Sequence, residues 1–346
     1  MGEKKMKKIY LKLFMLILAA STVFADGGVR NGTGAASQLL IPVGARGIAM
    51  SGSTIASSTG LEALYWNPAN LGYDSGTSVM FSYMSHIADI GVSYFGVSSN
   101  LEGFGSIALT LKSLSVGSIN ITTVDNPDGN GRSFKPTFMT LGLTYSRMLS
   151  DRISVGITMN YISETIDLVS SSALGFNFGV TYRNLANING FNLAMALKNF
   201  GPQMRYDGSG LYLNATPESL ERGQATYKMT AAAFDLPSTL EIGLSYNYNF
   251  NASNGLQLTT TYQNSNYYAD EYKVGLEYNL NSMFFVRGGY AFTPSFSDNT
   301  DYNIYGITAG LGLKYDLGGT AVKVDYAFRQ TKFFDNNHII SLQFGF

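Results

Sequence analysis

The chain has 346 residues, no cysteine, 38 glycines, 23 tyrosines and 22 phenylalanines, and its formal net charge is −1. A near-neutral chain has no electrostatic footprint for nucleic acid, and one without cysteine builds neither disulfides nor thiolate metal sites. Only 14% of its residues are charged and its mean hydropathy is +0.03, a mixture that suits sheets with one apolar face and one small, polar face.

Lys4, Lys5, Lys7 and Lys8 precede an apolar run over 9–20, and small residues follow it to Ala25. That order predicts a secretory signal over 1–25, cleaved after Ala25. A membrane anchor is the alternative, but the run contains Lys12 and falls short of the roughly 20 residues that span a bilayer. No later stretch stays apolar for the roughly 18 residues that mark a membrane helix. The mature chain is therefore expected to enter a membrane only as a closed barrel.

Residues 26–76 form a Gly-, Ala- and Ser-rich segment with no clear period, read as an N-terminal plug. Its most distinctive stretch is Leu61-Glu62-Ala63-Leu64-Tyr65-Trp66-Asn67-Pro68-Ala69-Asn70-Leu71-Gly72. Thr59 and Glu62 have the spacing of a capping box. Leu61, Leu64 and Tyr65 would then share one face of a short helix. Pro68 ends that helix, because the residue before a proline is pushed toward extended geometry.

From residue 77 the period becomes two. Leu240, Ile242, Leu244, Tyr246, Tyr248 and Phe250 alternate with Glu241, Gly243, Ser245, Asn247 and Asn249. Fourteen such runs are expected, at 77–84, 91–99, 103–112, 137–147, 152–163, 173–183, 190–199, 238–250, 254–264, 271–280, 283–292, 303–315, 320–330 and 337–346. Alternation of this length is a strand signal, and the lengths match the ~9–11 residues of a tilted membrane strand. All eight prolines lie outside the runs, as expected of a residue that cannot donate to a ladder. Connections alternate between short and generally longer, which predicts periplasmic turns, extracellular loops and an even strand count. A β-sandwich, whose strands are usually shorter, is the alternative. Tyr and Phe near the run ends predict an aromatic girdle. The last run carries Ile340, Leu342, Phe344 and Phe346 on one face; this terminal aromatic pattern resembles the signal read by the barrel-insertion machinery of bacterial outer membranes.

Candidate chemistry is sparse. Of the two histidines, His86 and His338, the first follows Ser85. Adjacent strand residues face opposite ways, so His86 is read as a loop histidine in water rather than a catalytic base. Asp125-Asn126-Pro127-Asp128-Gly129-Asn130-Gly131 lacks the acid spacing of an EF-hand and reads as a turn. Gly310 and Gly312 lie within a strand and not before a helix, so they form no phosphate loop. The segment 200–237 is long and apolar, with Met204, Tyr206, Leu211, Tyr212, Leu213, Leu220 and Phe234. A loop of that length is usually functional, and it is expected to fold over the barrel mouth.

Gly44-Ala45-Arg46-Gly47-Ile48-Ala49-Met50-Ser51-Gly52, followed by Ala63-Leu64-Tyr65-Trp66-Asn67-Pro68-Ala69-Asn70-Leu71, resembles the start of the PorV/PorQ family of outer-membrane proteins, which is similar to the FadL fatty-acid transporters. Ser51 stands where that family usually has glycine, and Asn70 replaces the glycine of "N-P-A-G-L". The resemblance implies an all-β, FadL-like transmembrane antiparallel barrel of fourteen strands in the bacterial outer membrane, with the N-terminal hatch inside the lumen and 77–346 as the wall. It implies no enzyme activity and no cofactor. The hatch residues would be Leu61, Leu64, Tyr65, Trp66, Asn67, Pro68, Ala69 and Leu71, and the insertion signal Phe344 and Phe346. Besides lipid, the implied partners are secreted cargo and the machinery of type IX secretion. The alternative is FadL-like transport of hydrophobic small molecules, with Leu61, Leu64, Tyr65 and Trp66 closing the path.

Overall fold

The computed structural model describes residues 34–216, 223–293 and 304–346; the expected signal peptide lies outside them. Fourteen antiparallel strands each pair with the next, and the last pairs with the first, so the sheet is a closed barrel. They are β1 (Thr77–Ser85), β2 (Gly91–Leu101), β3 (Gly105–Ser115), β4 (Thr137–Met148), β5 (Ile153–Ile166), β6 (Val169–Tyr182) and β7 (Phe191–Phe200). The second half comprises β8 (Thr239–Asn249), β9 (Gly255–Ser265), β10 (Glu271–Leu280), β11 (Phe284–Phe292), β12 (Tyr305–Leu317), β13 (Thr320–Thr331) and β14 (Asn337–Gly345). Closure runs from Ser78 opposite Gly345 to Ser85 opposite His338. The sandwich reading fails here, because the sheet has no free edge.

The period-two pattern explains which face is which. Along β3, Ile107, Leu109 and Leu111 are exposed on the outer surface while Ala108, Thr110 and Lys112 are buried. Across β4 and β5 the inward positions are Thr144, Ser146, Ser154 and Thr158, all buried. Small hydroxyl side chains leave room in the bore, and large apolar ones meet lipid.

Thr77 and Phe346 exchange backbone hydrogen bonds at 3.2 and 2.8 Å, so the chain enters and leaves the barrel at one end. The short turns 102–104, 149–152, 281–283 and 318–319 share that end, which is periplasmic in an outer-membrane barrel. One outer connection differs from expectation. β5 and β6 are longer than the alternation suggests and meet at a turn through Asp167, at φ 49°. The serines at 170–172 carry no apolar alternation, which hid the start of β6.

The segment 201–238 extends the β7–β8 hairpin outward. Met204 pairs with Phe234, and Met204 and Leu236 are buried against Ala35, Ala36, Leu39 and Ile162. The base of the loop thus folds inward onto the start of the plug. Beyond it, Tyr212–Ala215 pairs with Ala225–Lys228 as an exposed ribbon.

Candidate functional site

Residues 34–76 lie within the bore as short helical turns: α1 (Ala45–Ala49), a 3-10 turn at Gly60–Glu62, α2 (Ala63–Trp66) and a 3-10 turn at Pro68–Tyr73. Asn67 is extended, at φ −156° and ψ 109°, so Pro68 stops α2 as expected and opens the next turn. The capping box does not form. The Thr59 side chain makes no cap, and the Glu62 carboxylate instead accepts from the Gly47 N–H. Gly44 and Gly47 permit this approach, since a Cβ at either would strike the Glu62 side chain. Burial pushes the Glu62 carboxyl up to about 7, against the pull of nearby Arg46.

The Asn67-Pro68-Ala69-Asn70 stretch is fastened to β4, β5 and β6. Asn67 Oδ1 accepts from the Ala69 N–H at 3.0 Å; its Nδ2 donates to Thr181 Oγ1 at 2.9 Å and to the Ile55 carbonyl at 3.1 Å. Thr181 in turn donates to Asn70 Oδ1 at 2.7 Å. The Ala69 carbonyl accepts from Ser154 at 2.7 Å and Ser146 at 3.1 Å. Glycines on the wall complete the seat: a Cβ on Gly156 would meet the backbone of Pro68 and Ala69, and one on Gly179 would meet Asn67 Oδ1.

A second attachment is ionic. Arg46 Nε donates to Glu277 at 2.8 Å, and Nη2 donates to Gln257 at 2.7 Å. Glu277 also pairs with Arg287, which reaches Asp325, each at 2.5 Å. A third attachment is aromatic. The Tyr65 ring sits between the ammonium groups of Lys112, at 5.1 Å, and Lys198, at 4.7 Å. Its hydroxyl donates to the Leu40 carbonyl at 3.1 Å. Leu61, Leu64 and Leu71 pack with Val43, Met80 and Tyr94, so the three leucines share one cluster, with Tyr65 packed against it.

Above the plug, on the extracellular side, is a cavity of about 760 Å³. Its floor is Ser37–Pro42 with Tyr65 and Trp66. Its wall is two-faced. Ile87, Ile90, Leu114, Val116 and Phe138 line the arc from β1 to β4, while Lys198, Glu241, Glu271, Lys273 and Arg329 line the arc from β7 to β13. His86 lines this cavity and is 9% exposed. It is not a loop histidine in water: the end of β1 turns it into the bore while Ser85 faces out. Burial, with the charges of Arg329 and Lys112, lowers its pKa to about 4, which keeps it neutral at pH 7. The Asp125–Gly131 stretch is a turn, with the Gly129 N–H donating to the Asn126 carbonyl at 3.1 Å. Among the described residues, no group of His, Asp or Glu is placed to hold a metal.

The family model for the type IX secretion system protein PorV matches residues 25–243. The chain belongs to the PorV family. No curated protein matches the sequence. Among solved structures, the fold is similar to the CymD monoaromatic hydrocarbon channel, with TM-score 0.55 and 13% identity over 89% of this chain and 98% of that one. It is also similar to the Pseudomonas putida toluene transporter TodX, with TM-score 0.54 and 12% identity over 88% and 97% of the two chains. A Pseudomonas aeruginosa FadL homologue matches with TM-score 0.50 and 14% identity over 88% and 98%. Identities this low show the fold alone: a closed antiparallel barrel like that of the FadL-like channels.

Two departures of this PorV-family chain from the usual motif now have a local account. Ser51 adopts the left-handed conformation that glycine takes easily, at φ 52°. Its hydroxyl is bonded to Thr308 at 2.9 Å, which holds the residue in that conformation. Asn70 replaces glycine and adds bonds to Ile55 and Ser58, both 2.9 Å, besides the one from Thr181. Sequence reading missed Lys112, Lys198, Glu277, Arg287 and Arg329. Their signal was present: each is a charge on the small, polar phase of an alternating strand.

Proposed function

We propose that this PorV-family barrel is a non-enzymatic binding component of type IX secretion, which receives secreted cargo at the outer surface of the membrane. The hatch spans 26–76, with Leu61, Leu64, Tyr65, Trp66, Asn67, Pro68, Ala69 and Leu71 as its closing residues. Phe344 and Phe346 serve as the insertion signal. The observation that carries the reading is that the residues of the family likeness are the ones bonded to the wall. Arg46 ties one side of the bore, Asn67, Ala69 and Asn70 the other, and Tyr65 bridges two lysines between them. A plug held at three places suits a barrel that binds partners at its mouth better than one that passes solutes. Deleting the protein from a strain with type IX secretion should strand cargo inside the cell, and restoring it should return cargo to the surface. Undiminished surface display in the deletion strain would overturn the proposal.

The second reading is passage of hydrophobic small molecules. It draws on the apolar arc of the cavity and on the fold shared with hydrocarbon channels, and it requires the hatch to move.

A further inference from the structure

We infer that a small pocket beside Tyr65, between the plug and strands β3 to β7, is a binding site for a small inorganic anion such as chloride, with Lys112 supplying the charge. The inference holds whether the plug is a fixed stopper or a moving hatch.

The pocket measures about 50 Å³, room for a few groups the size of water and too little for a long apolar chain. Lys112, Lys198, Thr110, Thr140, Asn160 and Asn177 are among its polar lining, and no carboxylate of the described residues lines it. Ammonium, hydroxyl and amide groups all have hydrogens to donate, so this lining is matched to an anion. Strand register brings the donors together. Lys112 on β3 stands opposite Thr140 on β4. Two residues further along, Gly142 on β4 lies between Thr110 on β3 and Asn160 on β5. A Cβ on Gly142 would meet Thr110 Oγ1 and Asn160 Oδ1, so the glycine leaves this part of the wall open.

Charge accounting points to Lys112. It is 6% exposed, and its ammonium donates to the Ile41 carbonyl at 2.7 Å and lies 5.1 Å from the centre of the Tyr65 ring. Both contacts favour the charged form without neutralising it. The charge that bears on Lys112 is that of Lys198, a second cation, and Lys198 is itself paired with Glu241 at 2.6 Å. Among the described residues, Lys112 has no carboxylate partner. A buried charge left without a counter-charge is costly. Its cross-strand neighbour Thr140 is also buried, and Thr140 Oγ1 has no hydrogen-bond partner, a further cost. One small anion answers both: it neutralises Lys112 and accepts from Thr140. It also lies beside Tyr65 and offsets the repulsion between the two ammonium groups that grip that ring, so an occupied site holds the plug more firmly.

The protein, purified in neutral maltoside micelles, is crystallised with bromide in place of chloride, and the anomalous signal of bromide locates the ion. A peak in contact with Lys112 Nζ is expected. It should be absent from Lys112→Met, whose density also shows that barrel and plug are in place. In solution, chloride is exchanged for gluconate, which is too large for the pocket, at constant ionic strength. Proteolytic cleavage within 34–76 should then fall saturably as chloride rises, with a midpoint below about 0.15 M, the physiological ionic strength. Lys112→Met should lose this chloride dependence. Thr140→Val keeps the charge and should raise the midpoint about three- to tenfold, the factor that one hydrogen bond supplies. No bromide at Lys112, a peak undiminished in Lys112→Met, an unshifted midpoint in Thr140→Val, or equal protection in chloride and gluconate would each overturn the inference.

Discussion

At the scale of single residues, the seat of the plug depends on two buried amides, Asn67 and Asn70, that bond both to the plug itself and to the wall. Asn67 is wholly buried, yet its amide serves the Ala69 N–H, the Ile55 carbonyl and the Thr181 hydroxyl. Replacing it with alanine removes these bonds and takes away the acceptor of the buried Ala69 N–H, while the Ile55 carbonyl and the Thr181 hydroxyl keep their bonds to Asn70. Such an orphan costs about 1–3 kcal/mol, and rearranged water would recover part of that. Asn67→Ala is therefore expected to weaken the seating of the plug by about 1–3 kcal/mol while leaving the barrel closed. Limited proteolysis would show it: the segment 34–76 should become cleavable while the folded barrel still migrates as a compact species on unheated gels. Unchanged protection of 34–76 would mean that the ionic and aromatic attachments suffice alone.

At the scale of elements, the wall was legible and the seat was not. Alternation placed all fourteen strands, because a residue facing lipid and a residue facing the bore differ so sharply in size and polarity. It stumbled at the β5–β6 turn, where Ser170, Ser171 and Ser172 offer no such contrast. In the plug no period exists to read, and only Pro68 marked a boundary correctly. The Thr59–Glu62 spacing misled, because Glu62 was drawn across to the Gly47 amide by a tertiary contact that outweighs the local cap. Glycines such as Gly156 and Gly179 look like ordinary members of the small phase, yet they form the surface against which Pro68 and Asn67 rest. This predicts an asymmetry. Gly156→Val should displace the 68–73 turn and raise single-channel conductance in planar bilayers, since its side chain cannot coexist with the Pro68 and Ala69 backbone. Gly288→Ala should leave conductance at the parent level, because the nearest atom to its added carbon is the Thr308 carbonyl oxygen at 3.8 Å. Equal behaviour of the two variants would show that the plug tolerates displacement from its seat.

At the scale of the whole molecule, the two readings of function differ in one physical respect. A binding component works with its hatch in place, while a channel must release it. The attachments are distributed around the circumference: α1 reaches β9 and β10 through Arg46, the 68–73 turn reaches β4, β5 and β6, and Tyr65 is held from β3 and β7. Moving the segment as one body means breaking all of these nearly together, a larger barrier than swinging a hatch hinged on one side. The absence of native cysteine allows the point to be settled with a tether. Ser53 Oγ and Thr259 Oγ1 are 2.6 Å apart, one on the plug and one on β9. A Ser53→Cys, Thr259→Cys pair places two sulfurs where a disulfide would pin plug to wall, and reduction would release it. If the hatch is a fixed stopper, cells carrying the oxidised pair should display type IX cargo as well as the parent, and reductant should change nothing. If the hatch must move, oxidation should abolish function and reduction restore it, and the transport reading would then displace the one proposed.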